Sequence, residues 1–245
     1  MIEVTQDIFL PDNKITQDIL LPDNKITQDI TYGGIVSSVY PFGKCLQLAG
    51  INTDYIQLSE NIILSGDFTI SYWALQSAAW NDVTIVKIGS ADNFHRFNVN
   101  GTVLNRIGGS SYNFNTGVLP TNEWVHFMFT RDSTTARVYI NGEESTTGGV
   151  TVNTSDVEYG VFGIYHTLTQ NQWNGKLDDF FFKQGLAGDV NDALAIYNGG
   201  DGRHPQAVIG EGDHFFQFNE GEGTILGDSE GGINGTINGC TWVDH

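Results

Sequence analysis

Apolar and polar residues alternate in short runs along most of the chain. Around residue 70 the apolar side chains fall at every second position, which places Phe68, Ile70 and Tyr72 on one face of a strand. Residues 123–129 and 136–140 show the same alternation. Since a period of two is typical of strands, the pattern predicts an all-β domain of short strands joined by turns.

Residues 189–197 form a segment in which the pattern instead predicts a short helix. Asp189 is suited to the N-cap, because its carboxylate can accept hydrogen bonds from the first unpaired amides of a helix. Gly199 and Gly200 follow the segment and favour its termination. A single short helix leaves the all-β assignment unchanged.

The first thirty residues are a tandem repeat. Residues 4–14 (VTQDIFLPDNK) return as residues 15–25 (ITQDILLPDNK), and a third copy begins at residues 26–30 (ITQDI). Each copy joins a β-prone segment to a Pro-Asp-Asn-Lys turn, and the proline in the complete copies excludes a helical period. So few copies cannot build a core of their own.

Residues 1–30 are therefore predicted to be an extended repeat arm that lies against something else. That partner is its own domain, sister subunits in a homo-oligomer, or another protein. Strand addition would supply backbone hydrogen bonds, and Ile8, Ile19 and Ile30 would provide apolar docking anchors at constant spacing.

Composition narrows the range of partners. Hydrophobic residues make up 40% of the 245 residues, which can fill the core of one large β domain. The formal net charge is −18, which repels phosphate backbones and anionic lipid, so we expect no nucleic acid partner. The same carboxylates could serve hard cations such as calcium. Two cysteines are too few for a disulfide framework.

The sequence also carries expectations about location. Its first residues lack the basic and apolar regions of a signal peptide. No apolar run approaches the roughly 20 residues of a membrane helix. We therefore expect synthesis in a cytoplasm and no membrane insertion.

An ordered series of motifs resembles the laminin G-like domains of the concanavalin A-like lectin/glucanase superfamily. The resemblance implies a jelly-roll β-sandwich from about residue 41 to residue 202. The segments that carry it are 46–50 (LQLAG), 54–56 (DYI), 66–73 (GDFTISYW), 123–127 (EWVHF), 138–142 (VYING), 175–180 (GKLDDF), 185–186 (GL) and 197–200 (YNGG).

The opening motif of that family stands at the end of this chain. Residues 216–224 (FQFNEGEGT) and 234–242 (NGTINGCTW) are similar to the family's first strands. Either the domain is permuted and these strands complete its sheets, or a second domain is cut short. We favour the first arrangement, because unpaired strands would expose edges and apolar faces. Residues 31–245 are then one sandwich that follows the arm at residues 1–30.

The resemblance also implies a calcium site. Carried over to this sequence, the ligands are Asp54, in a turn, and the adjacent Asp178 and Asp179 on a strand. Calcium takes about six to eight oxygens, which carboxylates and turn carbonyls supply. Ala49 stands where the family usually has an aspartate, so one acidic group is missing. The alternative is that Asp178 caps a turn and Asp179 faces solvent.

Sugar chemistry is the other property implied by the superfamily. Its glucanases need two carboxylates that face each other about 5 to 9 Å apart, usually on a Glu-x-Asp-x-x-Glu strand, and this sequence contains no such strand. We therefore predict a protein that is not an enzyme. Four aromatic residues in turn-rich stretches are candidates for stacking on sugar rings, with core packing as the alternative: Trp80, Tyr112, Tyr165 and Trp173.

These features together favour a structural or adhesion protein of a bacteriophage particle, as a head decoration, fibre or tail component. The arm would bind other virion proteins, and the lectin-like outer domain would face a cell-surface glycan. The protein would be made in the host cytoplasm and reside in the virion. The alternative is a free carbohydrate-binding protein or a glycan hydrolase.

Overall fold

The computed structural model describes residues 42–245 in full and, before them, the backbone of three strands. Those strands are β1 (Glu3–Asp7), β2 (Lys14–Leu21) and β3 (Asn24–Thr31). The chain divides into two units, Met1–Val39 and Tyr40–His245, which are described separately.

The strands of the first unit form an antiparallel sheet in the order β1-β2-β3. The antiparallel register is centred on the repeated glutamine, with Gln17 opposite Gln6 on one side and Gln28 on the other. Of the predicted anchors, Ile19 is opposite Ile26, Ile30 is opposite Ile15, and Ile8 lies outside the described residues. The repeats pair with one another, and what the sheet docks against stays a prediction.

The second unit is a sandwich of two antiparallel sheets. Its strands are β4 (Lys44–Ala49), β5 (Tyr55–Leu64), β6 (Phe68–Gln76), β7 (Val83–Val86), β8 (Phe94–Asn98), β9 (Thr102–Ile107), β10 (Ser110–Asn115), β11 (Trp124–Asp132), β12 (Thr135–Ile140), β13 (Glu143–Glu144), β14 (Val150–Thr151), β15 (Val157–Phe162), β16 (Asn174–Gln184), β17 (His214–Phe216), β18 (Ile225–Leu226), β19 (Gly235–Asn238) and β20 (Thr241–Asp244). The eight-stranded sheet has the order β10-β9-β8-β7-β15-β5-β19-β18. The nine-stranded sheet has the order β13-β12-β11-β6-β16-β4-β20, with β14 on β12 and β17 on β16.

The core lies between the sheets, where β6 contributes the alternating residues predicted from the pattern. Phe68, Ile70 and Tyr72 are all fully buried there, and Tyr72 stacks on Phe180 of β16 at a centroid distance of 4.5 Å. The opposite face of β6 is buried as well, because a segment after β16 covers the nine-stranded sheet. Trp73, for example, packs on Tyr197 at 6.0 Å.

That covering segment contains the predicted helix, α1 (Val190–Tyr197). Asp189 is confirmed as its N-cap, because the Asp189 side chain accepts hydrogen bonds from the amides of Asn191 and Asp192. The helix ends at Asn198, which adopts the left-handed conformation in place of the glycine that follows. A 3-10 turn (Asn198–Gly200) and a second helix, α2 (Gln206–Ile209), come next. Within the described residues, no helix is long and apolar enough to cross a membrane.

The last strands of the chain lie in both sheets of the sandwich. Strand β17 pairs with β16, β19 pairs with β5, and β20 pairs with β4. The displaced opening motif is therefore part of the same two-sheet structure as the rest of the domain. The pairing places Cys45 opposite Val243, and both Cys45 and Cys240 are free thiols.

Candidate functional site

Asp178 and Asp179 lie side by side in β16 at an irregularity of the strand. The register against β6 shifts between Asp178 and Phe181, and Asp179 has a positive φ of 57°. Both carboxyl groups are completely buried. His245 Nδ1 is 2.7 Å from an oxygen of Asp178, and His204 Nδ1 is 2.7 Å from an oxygen of Asp179. The strand irregularity thus gives two neighbouring carboxyl groups separate histidine partners, and the expectation that Asp179 faces solvent is wrong.

Burial governs the protonation of this cluster. It raises the pKa of Asp178 well above its usual range, and the neighbouring charge of Asp179 acts in the same direction. It raises the pKa of Asp179 to about 6, although the hydrogen bond from His204 opposes the shift. Burial also lowers the pKa of His245 to about 4. Since burial disfavours the charged form of both partners, the hydrogen bond between His245 and Asp178 joins a neutral imidazole and a neutral carboxyl group.

The ring of His245 is held between two aromatic side chains. It is parallel to Trp124 at 4.1 Å and 2°, and it stacks on Phe42 at 4.7 Å and 21°. A cavity of about 420 Å³ opens beside these rings and is also lined by Gly43 and Asp244. We call the space bounded by Phe42, Trp124 and Asp178 the aromatic slot.

Asp54, the third residue of the predicted calcium site, has different partners. Its carboxylate accepts hydrogen bonds from the Ala49 amide at 2.8 Å and from the Thr53 hydroxyl at 3.0 Å. Ala49 pairs with Asn174, which precedes Asp178 by about 13 Å along the same strand at about 3.3 Å per residue. The three predicted ligands therefore do not converge. In residues 42–245 no group of three or more His, Cys, Asp or Glu side chains could hold a metal ion. Calcium binding stays a prediction.

The two tryptophans predicted to stack on sugars are core residues. Trp80 is 3% exposed and Trp173 is 0% exposed, and their rings meet edge to face at 5.4 Å. Their indole N–H groups donate to the carbonyls of Pro120 and Lys176. Because a stacking residue must present a ring face to solvent, the prediction of a sugar-binding role is wrong for both.

The two predicted tyrosines are only partly buried. The hydroxyl of Tyr112 accepts a hydrogen bond from the Asn153 amide at 2.9 Å, and its ring packs against the main core. Tyr165 packs edge to face on Phe94 at 5.9 Å, in a second apolar cluster that includes Val83 and Val161. A role for Tyr112 or Tyr165 in ligand binding stays a prediction.

A polar cleft that the sequence did not predict opens at one end of the nine-stranded sheet. Its volume is about 400 Å³, and it lies between the loop after β10, the β12–β13 turn and the end of α1. The turn needs a glycine, because Gly142 has φ 81° and an added Cβ would lie 2.9 Å from the Cα of Leu194. The residues that line this polar cleft include Asn115, Asn141, Glu143, Glu144, Ser145 and Tyr197.

The polar cleft combines groups that can donate and accept hydrogen bonds. The amide oxygen of Asn141 accepts from the backbone N–H of His126 at 2.8 Å, which fixes the orientation of the amide. Glu143 is exposed, whereas Glu144 forms an ion pair with Arg137 at 3.2 Å. The hydroxyl of Ser145 is buried without a protein partner in the described part of the chain. Such a set of groups can bind a neutral polyhydroxylated ligand.

Comparisons with known proteins agree on the fold. The family model described as the concanavalin A-like lectin/glucanases superfamily matches residues 50–183, more than half of the chain. No curated protein sequence matches significantly. A native heptameric SAP-like pentraxin from Limulus polyphemus is similar in structure, with a TM-score of 0.54 and 13% identity over 81% of this chain and 96% of the pentraxin.

Two further solved structures are similar at lower TM-scores. Domain 4 of an extracellular arabinanase from Geobacillus stearothermophilus, solved with arabinotriose, has a TM-score of 0.44 and 17% identity over 56% of this chain and 70% of that domain. Mouse laminin alpha1 domains LG4-5 have a TM-score of 0.44 and 10% identity over 67% of this chain and 48% of theirs. From the family match and the two-sheet sandwich, we conclude that the chain belongs to the concanavalin A-like lectin/glucanase superfamily as a laminin G-like domain.

Proposed function

We propose that this chain is a non-enzymatic adhesion protein that binds a glycan in the polar cleft and is carried on a bacteriophage particle by residues 1–30. The observation that carries the proposal is the polar cleft itself. A volume of about 400 Å³ falls within the range of small-ligand sites, and amides, carboxylates and one tyrosine line it.

The side chains of the polar cleft suit the hydroxyl groups of a sugar. Each hydroxyl both donates and accepts, so it is matched best by an amide beside a carboxylate. Asn141 keeps its NH₂ group for donation, because its amide oxygen already binds the backbone of His126. Glu143 accepts, and the ring of Tyr197 adds an apolar surface for the sugar's C–H groups.

The arrangement of carboxylates supports a binding role over hydrolysis. A glycosidase holds two carboxyl groups on opposite sides of one bond, about 5 to 9.5 Å apart. Glu143 and Glu144 are consecutive residues of β13, so their side chains point to opposite faces, and Glu144 is paired with Arg137. Asp178 and Asp179 are buried and hydrogen-bonded to histidines.

The repeat arm supports a place on a larger assembly. Its three strands pair in antiparallel order about the repeated glutamine, which gives a small sheet with an unpaired edge on β1 and on β3 among the strands described. Such an edge can add a strand from a neighbouring subunit or from another virion protein. The net charge of −18 favours solubility of a densely arrayed protein.

Glycan binding is expected to depend on Glu143. A glycan array identifies the ligand, and calorimetric titration compares the wild type with Glu143→Gln. Loss of a hydrogen bond to a charged group costs about 1.5–3 kcal/mol, so affinity should fall by about 10- to 100-fold. Glu60→Gln is the matched control, because Glu60 is an exposed carboxylate on the other sheet. An array without a ligand, or equal affinity of both variants and the wild type, would contradict the proposal.

Deletion of residues 2–30 is expected to leave a folded sandwich that no longer joins its particle. The remaining unit has its own core between two sheets, so its melting temperature should change little. Co-sedimentation with the assembled particle measures the loss. A truncated protein that still sediments with the particle would show that the arm has no docking role. A full-length protein that does not sediment with the particle would favour a free carbohydrate-binding protein.

A further inference from the structure

The aromatic slot holds one flat ring and offers it one polar partner. The imidazole of His245 is parallel to Trp124 at 4.1 Å and close to parallel to Phe42 at 4.7 Å. Its Nδ1 is 2.7 Å from the buried carboxyl group of Asp178. These distances fit one planar ring layer, and a puckered sugar ring would be too thick for the same space.

The walls of the slot are fixed by contacts that do not involve His245. Phe42 packs edge to face on Trp73 at 5.5 Å and on His204 at 5.7 Å. Trp124 begins β11 and is opposite Leu75 of β6. Asp178 is in β16, in register with Trp73. Because Trp124 and Asp178 belong to paired strands and Phe42 is buried against Trp73 and His204, we expect the slot to keep its shape when the ring inside it is removed.

The segment that inserts His245 lies at the margin of the sandwich. Strand β20 is the last strand of the nine-stranded sheet and pairs only with β4 there, through the four residues Thr241–Asp244. Its end is held by Lys44, which forms an exposed ion pair with Asp244 at 2.6 Å, and by the Lys176 ammonium, which donates to the Asp244 carbonyl at 2.8 Å. Exposed ion pairs contribute little stability. The end of an edge strand opens at lower cost than the core of a sheet.

We propose that the aromatic slot is a binding site for a planar nitrogen heterocycle of the imidazole class, which His245 occupies within the same chain. The parallel aromatic walls select a flat ring, and the carboxyl group of Asp178 selects a ring nitrogen at one edge. When the His245 side chain leaves the slot, an imidazole ring from solution takes its place. This site is separate from the polar cleft and does not depend on glycan binding.

Chemical rescue of His245→Ala by free imidazole tests the proposal. The variant is expected to fold, because the main core cluster between the sheets contains none of Phe42, Trp124 and His245. Imidazole should raise its melting temperature by about 3–6 °C at ten times the dissociation constant, with a logarithmic dependence on concentration above that constant. The melting temperature of the wild type should respond much less, because imidazole must compete there with the His245 ring of the same chain.

Three further variants separate the slot from general effects of imidazole. His245→Phe fills the slot without a nitrogen and should not respond. His245→Ala combined with Trp124→Ala removes one wall and should not respond. His166→Ala is the matched control, because it deletes a histidine that touches Tyr165 elsewhere on the domain. Equal responses of the wild type and His245→Ala, or no response of His245→Ala, would overturn the proposal.

Discussion

Replacement of Trp173 by alanine is expected to lower the free energy of unfolding by about 3–5 kcal/mol. The side chain is completely buried, and its ring meets Trp80 at 5.4 Å and Phe97 at 6.0 Å. Truncation therefore leaves a cavity beside the rings of Trp80 and Phe97, which are themselves buried and have little room to move into it. Chemical unfolding monitored by circular dichroism measures the loss.

Tyr165→Ala is the matched control for Trp173→Ala. Tyr165 is an aromatic residue of a neighbouring turn, but it is only partly buried, so its truncation should cost much less stability. Glycan affinity of the folded fraction should be the same for Trp173→Ala and the wild type. A Trp173→Ala variant with nearly full stability and no glycan binding would indicate that Trp173 contacts the sugar. It would contradict the assignment of Trp173 to the core.

The elements of the fold could be predicted from local features of the sequence. The alternation at Phe68, Ile70 and Tyr72 reflects the geometry of a strand, and these three residues are buried in the core. The helix at Val190–Tyr197 could be predicted because its N-cap, Asp189, bonds amides two and three residues away. The sandwich could be predicted from the resemblance to laminin G-like domains, because the order and spacing of the motifs can be read directly from the sequence.

Burial of turn residues could not be predicted in the same way. Trp80 and Trp173 lie in stretches rich in turn residues, which indicate a loop but not its position relative to the core. Trp80 is buried because its loop is tied back by a hydrogen bond to Pro120, 40 residues later in the chain. A contact between residues so far apart in the chain leaves no pattern in the neighbouring sequence. An exposed aromatic residue and a buried one therefore cannot be distinguished from the local sequence.

The partners of Asp178 and Asp179 are equally non-local. Their histidines lie 67 and 25 residues further along the chain, at His245 and His204. The resemblance to the family identified the two carboxylates, but only the path of the chain after β16 decides that histidines fill the space beside them. The polar cleft has the same origin, since Asn115, Asn141 and Tyr197 come from three separate segments. The Asn141-Gly142 pair predicts a turn, but it does not predict which other segments of the chain pack beside that turn.

Acidification from pH 6.5 to pH 4 is expected to destabilise the protein through two buried histidines. Burial lowers the pKa of His95 and of His126 to about 3, whereas an unfolded histidine has a pKa of about 6.5. Below pH 6.5 these two histidines are therefore protonated in the unfolded chain but remain neutral in the folded protein. Each histidine removes about 1.4 kcal/mol of stability per pH unit until its folded-state pKa is reached.

The acidic pair in β16 has the opposite effect over part of this range. Burial raises the pKa of Asp179 to about 6, so the folded protein binds a proton there before the unfolded chain does. Stability from this group is present at low pH and is lost as the pH rises from about 4 to about 6. The stability of the wild type against pH therefore combines the destabilisation from the two histidines with the opposite contribution of Asp179. A variant is needed to isolate the contribution of one histidine.

His126→Gln isolates the contribution of His126, because glutamine does not titrate and its amide reaches the position of the imidazole Nε2, which is 2.8 Å from the Ser71 hydroxyl in the wild type. Above pH 7 the variant and the wild type should differ by a constant free energy of unfolding, which serves as the internal control. Between pH 6.5 and pH 4 the wild type should lose about 3 kcal/mol more than the variant. Parallel losses over that interval would mean that His126 accepts a proton inside the folded sandwich, and its burial would then not control its charge.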